Sequence, residues 1–80
     1  MEKDRLRELL IEFFELAPET TTENIVQEGL AKWDSLAMVR LIAEIQTAFG
    51  VQFDVDEIDQ LTSYSQIRRA LDRKGVEVSR

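Results

Sequence analysis

Trp33-Asp34-Ser35-Leu36 opens the stretch whose reading decides the fold, because from Ser35 to Phe49 the chain runs SLAMVRLIAEIQTAF without a glycine or proline. Within it Met38, Leu41, Ile42, Ile45 and Phe49 recur at helical spacing, enough for one core-facing stripe. Leu36, Val39 and Ala43 form a second stripe beginning beside Ser35. In a small domain a second stripe stays partly exposed, and exposed apolar surface rimmed by charge marks a docking face. Asp34 is a good N-cap, able to accept a bond from an orphan backbone N–H of the first turn. Ser35 then stands at the positive end of the helix dipole, where an anion attached to its hydroxyl would be stabilised. Gly50 supplies a left-handed residue to end the helix.

Working outward, the segment before this helix is a long connection. Thr20, Thr21, Thr22 and Asn24 favour turns, Gly29 suits another, and Ile25, Val26 and Leu30 are its apolar anchors. Trp33 reads as a partly buried aromatic that fixes the loop. Before the connection, Leu6, Leu9, Leu10, Phe13 and Phe14 form a helical stripe with charges opposite, predicting a helix over residues 3–16 that ends ahead of Pro18. After Gly50, Asp54-Val55-Asp56-Glu57 resembles a capping box, and Val55, Ile58 and Leu61 give an apolar edge to a short helix over 55–61. Ser63 and Gln66 open a last helix over 64–74, with Tyr64, Ile67, Ala70 and Leu71 inward and Gly75 as its stop. Residues 76–80 read as a frayed tail. The fold class is all-α: a small four-helix bundle of three main helices and one short one, with a long loop after the first.

The 80 residues form one domain, and a chain of this length buries only about 60% of its unfolded surface. The formal net charge of −6 argues against nucleic acid and anionic membrane as partners. The Ser35–Phe49 stretch carries one Arg and one Glu, whereas residues 50–63 carry four acids and no base. That acidic cluster lacks the central glycine and spaced glutamate of a calcium loop, so no metal site is expected. Without His or Cys, the usual general base and the best nucleophile are absent, and the three glycines are too scattered for a phosphate-cradling loop. The chain therefore reads as a non-enzyme on which Ser35 is a place for chemistry to be attached. No apolar run approaches the ~20 residues needed to span a bilayer, and the N-terminus has no signal-peptide core. A cytoplasmic monomer is the expectation, and Met1 favours a freestanding protein.

Taken together, these features resemble the acyl carrier proteins. The likeness rests on the apolar first helix, the long loop, Trp33-Asp34-Ser35-Leu36, and Leu41-Ile42-Ala43-Glu44-Ile45 running to Phe49-Gly50-Val51. Ile58 and Leu61 follow, then Thr62-Ser63 leading into a helix with Ile67. The resemblance implies that a phosphopantetheinyl transferase moves 4′-phosphopantetheine from coenzyme A onto the Ser35 hydroxyl, leaving a phosphodiester. The arm's thiol would then carry an acyl or aminoacyl group as a thioester from a loading enzyme to a downstream acyltransferase. The Asp34 carboxylate would repel that phosphate, so Asp34 is assigned to capping and to recognition by the transferase. By position Leu36, Val39, Arg40, Ala43 and Glu44 on the second helix, with Asp56 and Glu57 on the third, would meet partners. Met38, Phe53, Ile58 and Leu61 are the candidate acyl-pocket residues.

The departures narrow the expectation. Carriers of fatty-acid synthesis have a strongly acidic second helix, whereas this one has Ala37, Arg40, Gln46 and Thr47 at positions where acids are common. A reversed charge in a recognition face acts against wrong partners as well as for right ones. Trp33 before Asp34 is similar to freestanding carriers of specialised biosynthetic pathways. A D-alanyl carrier for cell-wall polymers and an unmodified helical interaction domain are the alternatives.

Overall fold

The computed structural model describes residues 4–78. It holds four helices, α1 (Arg5–Phe14), α2 (Ser35–Phe49), α3 (Val55–Ile58) and α4 (Tyr64–Arg73). The long loop between α1 and α2 is broken by two single turns of 3₁₀-helix, Thr22–Asn24 and Gln27–Gly29. This is the small all-α bundle with three main helices that the periodicities predict. One core holds it together, drawing Leu6, Leu10 and Phe14 from α1, Leu41, Ile42 and Ile45 from α2, and Ile67 and Leu71 from α4. Ile25 and Trp33 enter it from the loop.

The helix boundaries follow from their caps. Asp4 caps α1 by accepting the Arg7 N–H at 2.9 Å. The helix was expected over 3–16. Lys3 lies outside the described residues, and the far end comes early because Glu15 turns left-handed (φ 53°). Its N–H and that of Leu16 return to the carbonyls of the last turn, a Schellman-type ending on a non-glycine residue. The Arg7 guanidinium then holds the exit by donating to the carbonyls of Pro18 (2.5 Å) and Thr20 (2.8 Å). In α4 the Ser63 hydroxyl accepts the Gln66 N–H at 3.2 Å, and Tyr64, Ile67, Ala70 and Leu71 are all buried. That helix closes one residue earlier than expected, at Arg73.

Two expectations change. The short helix expected over 55–61, with Val55, Ile58 and Leu61 along one edge, stops at Ile58. The helix α3 has only four residues, its chain continues as a turn in which the Leu61 N–H reaches the Ile58 carbonyl, and Val55 is 76% exposed. Val55 follows the cap directly, so its side chain leaves the helix on the solvent side while Leu61 is carried into the core by the turn. The end of the chain is not frayed as far as it is described. Val78 is 2% exposed, and its carbonyl accepts the Arg5 N–H at 2.7 Å. The Val76 N–H returns to the Leu71 carbonyl at 3.0 Å, which turns the segment back over the start of α1. Ser79 and Arg80 lie outside the described residues.

A polar cluster pins α1 to α4 and was not visible in the sequence. The Tyr64 hydroxyl donates to Asp4, Arg68 donates to the Tyr64 oxygen at 2.6 Å, and Arg68 lies 3.5 Å from the Asp4 carboxylate. Burial and the Asp4 carboxylate push the Tyr64 phenol above its ordinary pKa, so it stays a neutral donor. The loop is pinned to α4 by backbone pairing at the Val26–Ser63 bridge, Gln27 N–H to Thr62 O at 2.8 Å and Tyr64 N–H to Ile25 O at 2.9 Å.

Gly50 ends α2 with φ 65°, its N–H bonded to the Gln46 carbonyl. A Cβ there would meet no atom within 4 Å, so only the backbone resists substitution. Gly50→Ala is expected to lower unfolding free energy by about 1 kcal/mol in a denaturant titration. A neutral result would mean that the helix end relaxes out of the left-handed region.

Candidate functional site

The site is built from the loop upward. Trp33 is 2% exposed and lies stacked on Phe14, ring centroids 5.0 Å apart and planes 29° from parallel. Phe13 meets Phe14 edge-on at 4.9 Å. The Trp33 indole N–H donates to the Met38 sulfur at 3.5 Å, one turn into α2. Its backbone is held as well, with the N–H donating to Leu30 O and the carbonyl accepting from the Gln27 amide at 3.2 Å. A tryptophan fixed at ring and backbone sets where the next residue can go.

The next residue is Asp34, in extended conformation (φ −100°), whose carboxylate accepts the Ala37 N–H at 2.8 Å while its carbonyl takes the Met38 N–H at 2.9 Å. Those bonds engage two of the first four helix donors. The N–H groups of Ser35 and Leu36 have no carbonyl one turn earlier to bond and point out of the helix end. Ser35 is therefore an exposed hydroxyl on the first turn of the longest helix, beside backbone donors and the positive end of the dipole. A phosphodiester on its oxygen fits that setting, since the donor set is one that binds phosphate. The other described serines differ: Ser63 spends its hydroxyl on a cap, and Ser65 follows no Asp cap.

Along α2 the second stripe faces solvent, with Leu36 62% and Val39 68% exposed and Ala43 exposed between the exposed charges Arg40 and Glu44. Asp56 on α3 is exposed too. Glu57 is not free in the same way. Its carboxylate accepts the Asp54 N–H at 2.9 Å and pairs with the Lys74 ammonium at 3.1 Å. The backbone N–H and the Lys74 cation, in that order, hold its pKa below the usual carboxylate value. Of the four candidate pocket residues, Phe53 and Leu61 are buried in the core and Ile58 packs against it. Met38 also packs there, and its sulfur is engaged by Trp33. The recess beside Leu61, between α3 and α4, holds only about 20 Å³, room for about one water. Among the described residues no three His, Cys, Asp or Glu side chains converge on a metal site. No helix there is long and apolar enough to cross a membrane.

The sequence profile of the family described as the phosphopantetheine attachment site matches residues 4–71, so the chain belongs to that family of carrier domains. The covalent cofactor of such domains is 4′-phosphopantetheine, and membership implies a phosphopantetheinyl transferase and enzymes that load and unload the carrier. The domains are generally carriers rather than catalysts. Neither the curated proteins nor the solved structures gave a match.

Two outcomes test this geometry. Trp33→Ala removes a buried ring and is expected to destabilise the fold by about 3–5 kcal/mol. A chain of this length has about 4–12 kcal/mol in all, so the variant should melt far below the parent or fail to fold. For Glu57, a lowered folded pKa means that its stabilisation is present above the unfolded value near 4.5 and is lost as pH falls through the folded value. The stability gap between the parent and Glu57→Gln should accordingly shrink between neutral pH and pH values below 4.5, followed by chemical denaturation.

Proposed function

We propose that Ser35 is the residue that carries 4′-phosphopantetheine and that residues 1–80 act as a single carrier domain. The observation that supports this most is the pairing of an exposed serine hydroxyl with unengaged helix N–H groups, immediately after an Asp cap, in a chain of the phosphopantetheine attachment family. In the loading step the bond formed joins Ser35 Oγ to phosphorus and the bond broken is the pyrophosphate link of coenzyme A, releasing adenosine 3′,5′-bisphosphate. The hydroxyl proton passes to the transferase or to water. When attached, the arm supplies a thiol on which an acyl or aminoacyl group travels as a thioester.

The remaining roles fall to the chain's own residues. Asp34 holds the helix end in place and offers an exposed carboxylate to the transferase. Leu36, Val39 and Ala43 are a surface for partner enzymes, flanked by Arg40 and Glu44, with Asp56 alongside on α3. Arg40 in place of an acid turns the domain away from enzymes whose docking sites are uniformly basic, which supports a role in a specialised biosynthetic pathway over housekeeping fatty-acid synthesis. The carrier works as a monomer in the cytoplasm.

Intact mass after incubation with coenzyme A, magnesium and a promiscuous phosphopantetheinyl transferase tests the reading directly. The parent should gain one phosphopantetheine and Ser35→Ala none, with the variant's melting temperature close to the parent's because the lost hydroxyl is exposed. A folded Ser35→Ala that still gains the group would move the attachment elsewhere. No gain on the parent, with a known carrier loaded in the same tube, would leave an unmodified interaction domain.

A further inference from the structure

Two recesses adjoin where the end of α1 meets the loop that leads to Ser35. The first, about 340 Å³, is bounded by Phe13, Phe14, Lys32, Asp34, Leu36 and Arg40. The second, about 220 Å³, is walled by Phe14, Leu16, Leu30 and Ala31, with Glu15 and Lys32 at its edge. Phe14 and Lys32 line both, so the two recesses adjoin, and the pair is termed the furrow. It starts at the residues on either side of Ser35 and runs away from α2 over apolar side chains.

Resting on the reading that Ser35 carries the arm, we propose that this furrow seats the arm and its cargo, and that the cargo is a short apolar acyl chain. The attachment end carries Lys32 and Arg40 against the single carboxylate of Asp34, so it is net cationic beside the phosphodiester although Asp34 itself opposes it. The far end is complementary in polarity, since Phe14, Leu16 and Leu30 already pack on or in the core and present apolar surface to the recess. At about 220 Å³ and walled mainly by apolar side chains, it suits a short chain rather than a long one. Glu15 does not spoil the recess for an apolar chain, because its carboxylate lies 3.9 Å from the Lys32 ammonium. The interior alternative is occupied by side chains in the unloaded chain, since Phe53 and Leu61 are buried.

The test compares three forms of the ¹⁵N-labelled chain: unloaded, loaded from coenzyme A, and loaded from octanoyl-coenzyme A. Intact mass is read first and amide spectra second. The octanoyl form should shift the amides of Phe14, Leu16, Leu30 and Ala31 relative to the form without an acyl group. Ala31→Asp, a change at an exposed wall of the furrow, should lose those shifts in the fraction that intact mass shows to be loaded. Octanoyl shifts at Met38, Phe53, Ile58 and Leu61 would put the cargo in the core and overturn the furrow. Shifts confined to the neighbours of Ser35, or unchanged by Ala31→Asp, would overturn it as well. A parent that gains no mass would instead overturn the Ser35 reading, and the furrow with it.

Discussion

The stacking of Trp33 on Phe14 is the contact on which the rest of the site depends. It joins the last turn of α1 to the residue that precedes the α2 cap, across a loop of about twenty residues. Closing a loop of that length carries an entropy penalty that something local must offset. A buried aromatic pair supplies area and a geometric preference together, beyond what an aliphatic contact would give. The indole N–H on Met38 adds direction, tying the ring to the helix it introduces. Next to that pair Asp34 is extended, and the helix begins at Ser35.

A division of labour on α2 follows. One face is buried through Leu41, Ile42 and Ile45, and the opposite one leaves Leu36 and Val39 largely in water. Among the described residues no helix covers the second face: α1 and α4 are joined to each other through Asp4, Tyr64 and Arg68, and α3 is a single turn. Large exposed side chains give up hydrophobic stabilisation that the domain could otherwise have used.

The charge distribution separates fold from surface in the same way. Ion pairs that hold elements together are partly shielded, as with Lys74, which reaches Glu57 and also lies 5.2 Å over the Phe53 ring. Arg5 does similar work between α1 and the end of α2, over the Phe49 ring at 4.8 Å and on the Ala48 carbonyl at 3.2 Å. Charges near Ser35 such as Arg40 and Glu44 are exposed and available for steering an encounter. Glu57 shows why sequence position alone misjudges such groups, because an acid three residues past a cap satisfies the backbone before it meets a partner.

The sequence alone determined what depends on short-range periodicity and capping. The inward faces of α1, α2 and α4, the Asp34 and Ser63 caps, the left-handed Gly50 and the solvent-facing stripe beside Ser35 all follow from spacings of three and four residues and from the chemistry of single side chains. What only the tertiary structure decided lies between residues far apart in the chain. It turned Val78 inward through a bond to Arg5, set Val55 outward on a helix too short to impose a face, and joined Asp4 to Tyr64 and Arg68. It also brought Phe14, Leu30 and Lys32 together into a furrow beside the serine. Local backbone preference fixes which way a side chain leaves its own helix, but which other element it meets is settled by how the whole chain packs around one core.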